Sequence, residues 1–212
     1  LLQNYYAWEW GDALFIALDP FWFTQRQRGG EDNWSRTLGK QQYDWLAAVL
    51  SKSKASLRFV FLHHLVGGIG RDARGGAEAA PLYEWGGHEP DGADAFASKR
   101  AGWPLPIHAL LKKHRVNIVF HGHDHLYVKQ DYDGIVYQEV PQPGHARYDN
   151  TRSADEYGYK SGTIQGSSGH LRVQVRKGGA VVEYVRSYLP ADENASRVNA
   201  SVSHRYEVTA GK

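Results

Sequence analysis

Five histidines fall in two short stretches whose spacing suits metal chemistry. His121, His123 and His125 alternate along Phe-His-Gly-His-Asp-His, directly after the apolar run Ile118-Val119-Phe120. His63 and His64 end a second apolar run, Phe59-Val60-Phe61-Leu62. A buried strand fixes the backbone, and a turn at its end aims imidazoles outward. Gly122 is the residue expected to make that turn sharp. Neutral imidazole suits Zn, Fe, Ni and Cu and is tolerated by Mn. Functional groups of open α/β sheets gather at the carboxyl ends of strands. Two strands that both end in histidine therefore predict one shared site.

These residues carry a resemblance. Gly122-His123-Asp124-His125 resembles the Gly-His-x-His motif that closes the calcineurin-like metallophosphoesterases, and Phe61-Leu62-His63-His64 is similar to that superfamily's upstream strand-end histidine. The segment 106–114 sits where the superfamily places a helix, and 4–19 resembles its mid-chain hairpin. The resemblance runs to about Tyr188. It departs from the superfamily in what is absent: there is no Asp-x-His and no Gly-Asn-His, Gly11-Asp12 lies in the wrong context, and Leu65 stands where a proline is common.

The resemblance implies an α/β fold, a β-sandwich flanked by helices, of which this chain looks like the C-terminal half. It implies hydrolysis of phosphate mono- or diesters by two divalent metal ions, Mn, Fe or Zn. His63 and His123 would ligate one metal and His125 the other. The bridging carboxylate would come from the absent N-terminal half, which is the expected partner. His64 would orient phosphate or donate a proton. His121 reads as packing or support for the ligands, and Asp124 as orienting or solvent-facing. Two other readings stay open: a non-catalytic module of the same shape, and a structural zinc site built from His63, His123 and His125.

The elements that must position these residues follow from pattern. Tyr6, Trp8 and Trp10 alternate with Ala7 and Glu9, Gly11-Asp12 turns the chain, and Ala13 to Leu18 returns as an apolar strand. Asp19-Pro20 breaks it, with Asp19 read as turn chemistry. Tyr43, Leu46, Val49 and Leu50 give a helix over 40–51. Strand, helix and strand predict a parallel crossover. Residues 65–102 form a Gly-rich insertion expected to cover the site. Arg71, Arg74, Lys99 and Arg100 are its candidate phosphate contacts, and Tyr83, Trp85 and His88 its candidate pocket lining. His145, in a Pro/Gly turn, is a further substrate-binding candidate. Asp133-Gly134 marks a hairpin, 148–168 reads as loop, and Leu171–Val175 and Ala180–Val185 as paired strands. Residues 1–190 form the expected domain and 191–212 a polar tail.

Composition bounds the rest. The chain has 212 residues, net charge +2, no cysteine and no methionine. That length fits one domain with a real core. The charge implies neither nucleic acid nor a membrane surface as partner. No cysteine means no disulfide and no thiolate metal site, which fits either redox compartment and leaves localisation open. The missing methionine, with the missing motifs, leads us to expect a processed or partial product. No apolar run is long enough for a membrane span.

Overall fold

The computed structural model describes residues 4–24, 32–66 and 74–211. The hairpin forms first: β1 (Tyr6–Trp10) pairs antiparallel with β2 (Ala13–Ala17) across Gly11-Asp12. Helix α1 (Gly39–Lys52) follows, with Tyr43, Leu46 and Leu50 buried on one face. Strand β3 (Leu57–Phe61) then runs parallel to β2, as a crossover through a helix requires.

The described part of the insertion, from Arg74, is a packed segment. It forms three single-turn helices, α2 (Gly76–Ala79), α3 (Tyr83–Gly86) and α4 (Phe96–Lys99). Ala79, Ala80 and Trp85 sit in the main core. Trp85 therefore does not line a pocket; its indole Nε1–H donates to Tyr137 Oη at 2.8 Å. Arg100 is not a free phosphate contact either. It pairs with the buried Glu84 carboxylate at 2.5 Å.

Helix α5 (Ile107–Lys113) leads into β4 (Ile118–His121), parallel to β3. Then come β5 (Leu126–Tyr132) and β6 (Ile135–Glu139), joined at Asp133-Gly134. The stretch 148–168 is not all loop: it holds α6 (Arg152–Glu156) and β7 (Thr163–Gly166), which pairs with β5. Strands β8 (Gly169–Arg176) and β9 (Gly179–Arg186) pair around Lys177-Gly178, and β10 (Val202–Thr209) pairs with β9. The polar end of the chain is thus partly a strand rather than a fraying tail.

Two sheets result. The larger has the order β1-β2-β3-β4-β6-β5-β7 and the smaller β10-β9-β8. Side chains alternate across each strand of the larger sheet. Leu14, Ile16, Val60 and Val119 face α1 and α5 in one core. Ala13, Phe59, Ile118 and Phe120 face Ala180 and Val182 of the smaller sheet in a second. The fold is a mixed α/β sandwich with helices on the outer face of its large sheet. Among the described residues, no helix is long and apolar enough to cross a membrane.

Candidate metal centre

Parallel pairing of β3 with β4 puts both carboxyl ends at one edge of the sheet. The pairing continues past the strands: Leu62 N–H donates to Phe120 O at 3.1 Å, and Gly122 N–H donates to His63 O at 2.9 Å. This register seats His63 beside His123. Their rings lie at a centroid distance of 5.0 Å, nearly perpendicular, and His63 Nε2 stands 2.9 Å from His123 Nδ1.

Arg74 fixes the protons of that contact. Its Nη2 lies 2.9 Å from His123 Nε2. A guanidinium only donates, so Nε2 is the acceptor and the proton of neutral His123 sits on Nδ1, pointing at His63. His63 then accepts at Nε2 and carries its own proton on Nδ1. Burial, the Arg74 charge and His63 together lower the His123 pKa and favour this neutral ring. Arg74 also stacks over Tyr157 at 4.0 Å, and its Nε is 3.6 Å from Asp124 Oδ1. Gly75 and Gly76 let the chain reach this position. A Cβ on Gly75 would fall 2.8 Å from the His121 ring, and Gly76 has φ +68.

The turn itself differs from expectation. Gly122 is not its left-handed residue. His123, at φ 95, and His125, at φ 57, are. Non-glycine residues rarely hold such angles without support from their surroundings. The support is Glu139, which sequence reasoning missed. It is fully buried at the end of β6, opposite His121 in the register. Its Oε1 accepts the Asp124 N–H at 2.9 Å, and the His125 N–H adds a further bond to the carboxylate. Its Oε2 is 2.7 Å from His121 Nδ1, but out of line for a hydrogen bond, so both His121 nitrogens are buried without a partner. Tyr159 O–H donates to Asp124 Oδ2 at 2.8 Å and approaches Glu139 Oε2 at 3.4 Å. Asp124 is therefore buried and orienting, not solvent-facing. Burial pushes both carboxyls up, and the Asp124 charge raises Glu139 further. Burial takes His121 down to about 4, against the opposing pull of the Asp124 charge.

The remaining candidates are placed as follows. His64 is buried, its ring 5.8 Å from that of His123 and edge-on to Phe21 at 5.0 Å. Burial, then His63, lower it to about 4, so it is a neutral ring. His125 is exposed, and among the described residues its side chain makes no hydrogen bond or ring contact. His145 Nδ1 accepts from Arg147 N at 3.2 Å, and the residue lines a separate cleft with Tyr148 and Tyr188. Arg71 lies outside the described residues. Asp19 caps its own turn, accepting the N–H groups of Phe21 and Trp22.

Two nitrogens bound to one tetrahedral zinc stand about 3.3 Å apart, given Zn–N bonds of about 2.05 Å. The His63–His123 pair is close to that spacing. A two-metal centre also needs charge-bearing donors. Among the described residues, no three His, Asp or Glu side chains gather so as to hold a metal ion. Asp19, Asp124 and Glu139 are each committed to internal hydrogen bonds. Among the described residues, the His63–His123 pair has no carboxylate beside it that is free to join it.

No protein-family model matches the sequence, and no curated protein matches it. Solved structures do share its shape. PhoD superimposes with a TM-score of 0.59 at 16% identity, over 99% of this chain and 42% of that one. GAP50, the anchor in the inner membrane complex of Plasmodium, gives 0.56 at 13%, over 100% and 56%. Purple acid phosphatase PPD1 from yellow lupin (Lupinus luteus) seeds gives 0.54 at 14%, over 99% and 33%. This chain spans between a third and just over half of those structures. At these identities the likeness is one of fold alone.

Proposed function

We propose that this chain supplies the histidine side of a metal-dependent phosphoester hydrolase. The observation that carries the reading is the His63–His123 pair, held 2.9 Å apart at the ends of two adjacent parallel strands. His63 and His123 would hold one divalent ion, with His125 available to a second. Such ions, Mn, Fe or Zn, clamp a phosphate ester and make a bound water nucleophilic near neutral pH. The remaining donors would come from polypeptide outside these residues, in keeping with the share of each similar structure that this chain spans.

The chain's own residues do three things in this reading. Arg74, already aimed at the pair, offers a fork of donors to a phosphate oxygen. His64, a neutral ring beside His63, serves as a hydrogen-bonding and positioning group rather than a source of positive charge. Glu139 holds the turn that presents His123 and His125.

One observation favours a second reading. Arg74 donates to His123 Nε2, which leaves the His123 proton on Nδ1 between the two rings, and this arrangement holds the pair together without any ion. A module that keeps the shape without catalysis would look like this.

Metal titration of the 212-residue protein, with a parallel assay on p-nitrophenyl phosphate and its diester, separates the two. The hydrolase reading expects a divalent ion bound through His63 and His123, lost in His123→Ala, with negligible turnover by this chain alone. Affinity no better than that of a His63→Ala/His123→Ala double variant overturns it in favour of the module.

A further inference from the structure

At the end of the sheet opposite the histidines, two loops bring basic residues together. The loop from α1 into β3 carries Lys54 and leads to Arg58, and the end of α5 carries Lys113, His114 and Arg115. With Gly211, just past β10, they line a cleft of about 410 Å³. Small-ligand sites span roughly 300–1,000 Å³. Among the described residues no acidic side chain lines the cleft. The whole chain carries only +2, so the four full charges here are a local concentration.

The walls are fixed by hydrogen bonds. Gly211 N–H donates to Ser56 O at 3.0 Å, Asn117 Nδ2–H to Thr209 O at 3.0 Å, and Arg58 N–H to Asn117 Oδ1 at 2.8 Å. The Arg58 guanidinium donates to His114 O and, at 3.0 Å, to Ser53 O, carbonyls at the ends of α5 and α1. Those bonds satisfy the helix ends but neutralise no charge. The side chains of Lys54, Lys113 and Arg115 make no hydrogen bond or ion pair among the described residues. Glu9 is the carboxylate that acts on Arg58, and it already accepts from Ser53 Oγ at 2.5 Å. Burial and the Arg115 charge lower the Arg58 pKa, so the cations of the cleft work against one another.

Arg115 stands where the backbone favours glycine. Val116 N–H donates to Leu111 O at 3.0 Å and Arg115 N–H to Lys112 O at 2.9 Å, the paired bonds that close a helix through a left-handed residue. Arg115 is that residue, at φ 54. Glycine holds such a position freely, and arginine holds it under strain. An arginine kept there points to a use for its side chain.

We propose that this cleft binds an anion carrying two or more phosphate charges, free or at the head of a larger molecule. Arginine forks match phosphate oxygens, and lysines add point charges. A singly charged carboxylate would leave most of the positive charge unbalanced. The site is separate from His63 and His123, which follow β3 and β4 at the other edge of the sheet.

The test uses metal-free protein, so it fails or succeeds separately from the hydrolase reading. The 212-residue chain is titrated with inorganic pyrophosphate, orthophosphate and chloride at matched ionic strength, while its imidazole resonances are followed. The expected result is a saturable shift of His114, tightest for pyrophosphate and unchanged in His123→Ala. Lys113→Gln should weaken it about tenfold. Arg115→Gly should do the same while holding or raising the melting temperature, because glycine suits the left-handed position. A second arm adds phosphatidylcholine vesicles with about a tenth phosphatidylinositol phosphate. Vesicle binding displaced by pyrophosphate assigns the anion to a lipid headgroup, and no vesicle binding assigns it to a free phosphate compound. An equal response to all three anions means surface charge only and overturns the proposal. A shift at His123 in place of His114, or full affinity in both variants, overturns it as well.

Discussion

Glu139 and Asp124 are joined by a bond that crosses from one strand end to the next: Glu139 Oε1 accepts the Asp124 backbone N–H at 2.9 Å, wholly out of solvent. The bond ties β6 to the turn after β4, and the two residues on either side of Asp124 are the left-handed His123 and His125. Removing the acceptor would leave buried N–H groups unpaired, which costs about 1–3 kcal/mol for each. Glu139→Ala should therefore lower stability by about 2–4 kcal/mol in urea denaturation and speed amide exchange at Asp124. Glu139→Gln keeps an acceptor oxygen and should cost less. Equal losses in both variants would mean that side-chain charge, not the backbone bond, is what matters.

A second prediction separates the histidines. His63 and His123 share a contact, whereas the His125 ring stands apart. Cobalt titration should show His123→Ala and His63→Ala each weakening binding about tenfold or more, with His125→Ala near wild type. A large loss in His125→Ala alone would show that the first ion is not held by the pair.

A third concerns Gly75. A Cβ there would meet His121 Nδ1 and the Tyr159 hydroxyl at 2.8 and 2.9 Å, both in rigid surroundings. Gly75→Ala should cost about 1–3 kcal/mol by overpacking. It should also shift Arg74 away from His123, seen as a change in the His123 imidazole resonances. Unchanged resonances would place Arg74 under the control of other contacts.

Much of this architecture was legible because strong local signals and tertiary demands agreed. Phe59–Leu62 and Ile118–Phe120 are apolar on both faces and lie in the middle of a parallel sheet, covered on both sides. What stayed hidden depended on register. Nothing near Glu139 in sequence marks it, since Asp124 and His121 are 15 and 18 residues away and meet it through the β4–β6 pairing. Strand β10 was hidden by polarity: Val202, His204, Tyr206 and Val208 alternate, but the intervening residues and flanks read as solvated tail. Trp85 was read as pocket lining because its neighbours are Gly-rich, although a Tyr137 hydroxyl waits for its indole N–H in the core.

The last prediction follows that core hydrogen-bond chain. Trp85 Nε1–H donates to Tyr137 Oη at 2.8 Å, and Tyr137 Oη lies 2.7 Å from His108 Nδ1. The tyrosine proton is thus free to go to Nδ1, which sets His108 as the neutral tautomer with its proton on Nε2, facing Asp133 at 3.3 Å. Protonating Nδ1 would oppose two donors across one hydroxyl oxygen. Burial lowers the His108 pKa against the opposing pull of Asp133. A histidine whose folded pKa is depressed binds a proton more readily when unfolded. Its stabilising contribution is therefore present above the unfolded value, about 6.5, and is lost as pH falls toward the folded one. Urea midpoints should fall between pH 7.5 and pH 5, and His108→Gln, which cannot titrate there, should flatten that dependence at some cost in stability at pH 7.5. An identical pH profile in His108→Gln would assign the acid sensitivity to other histidines and show that this one does not carry it.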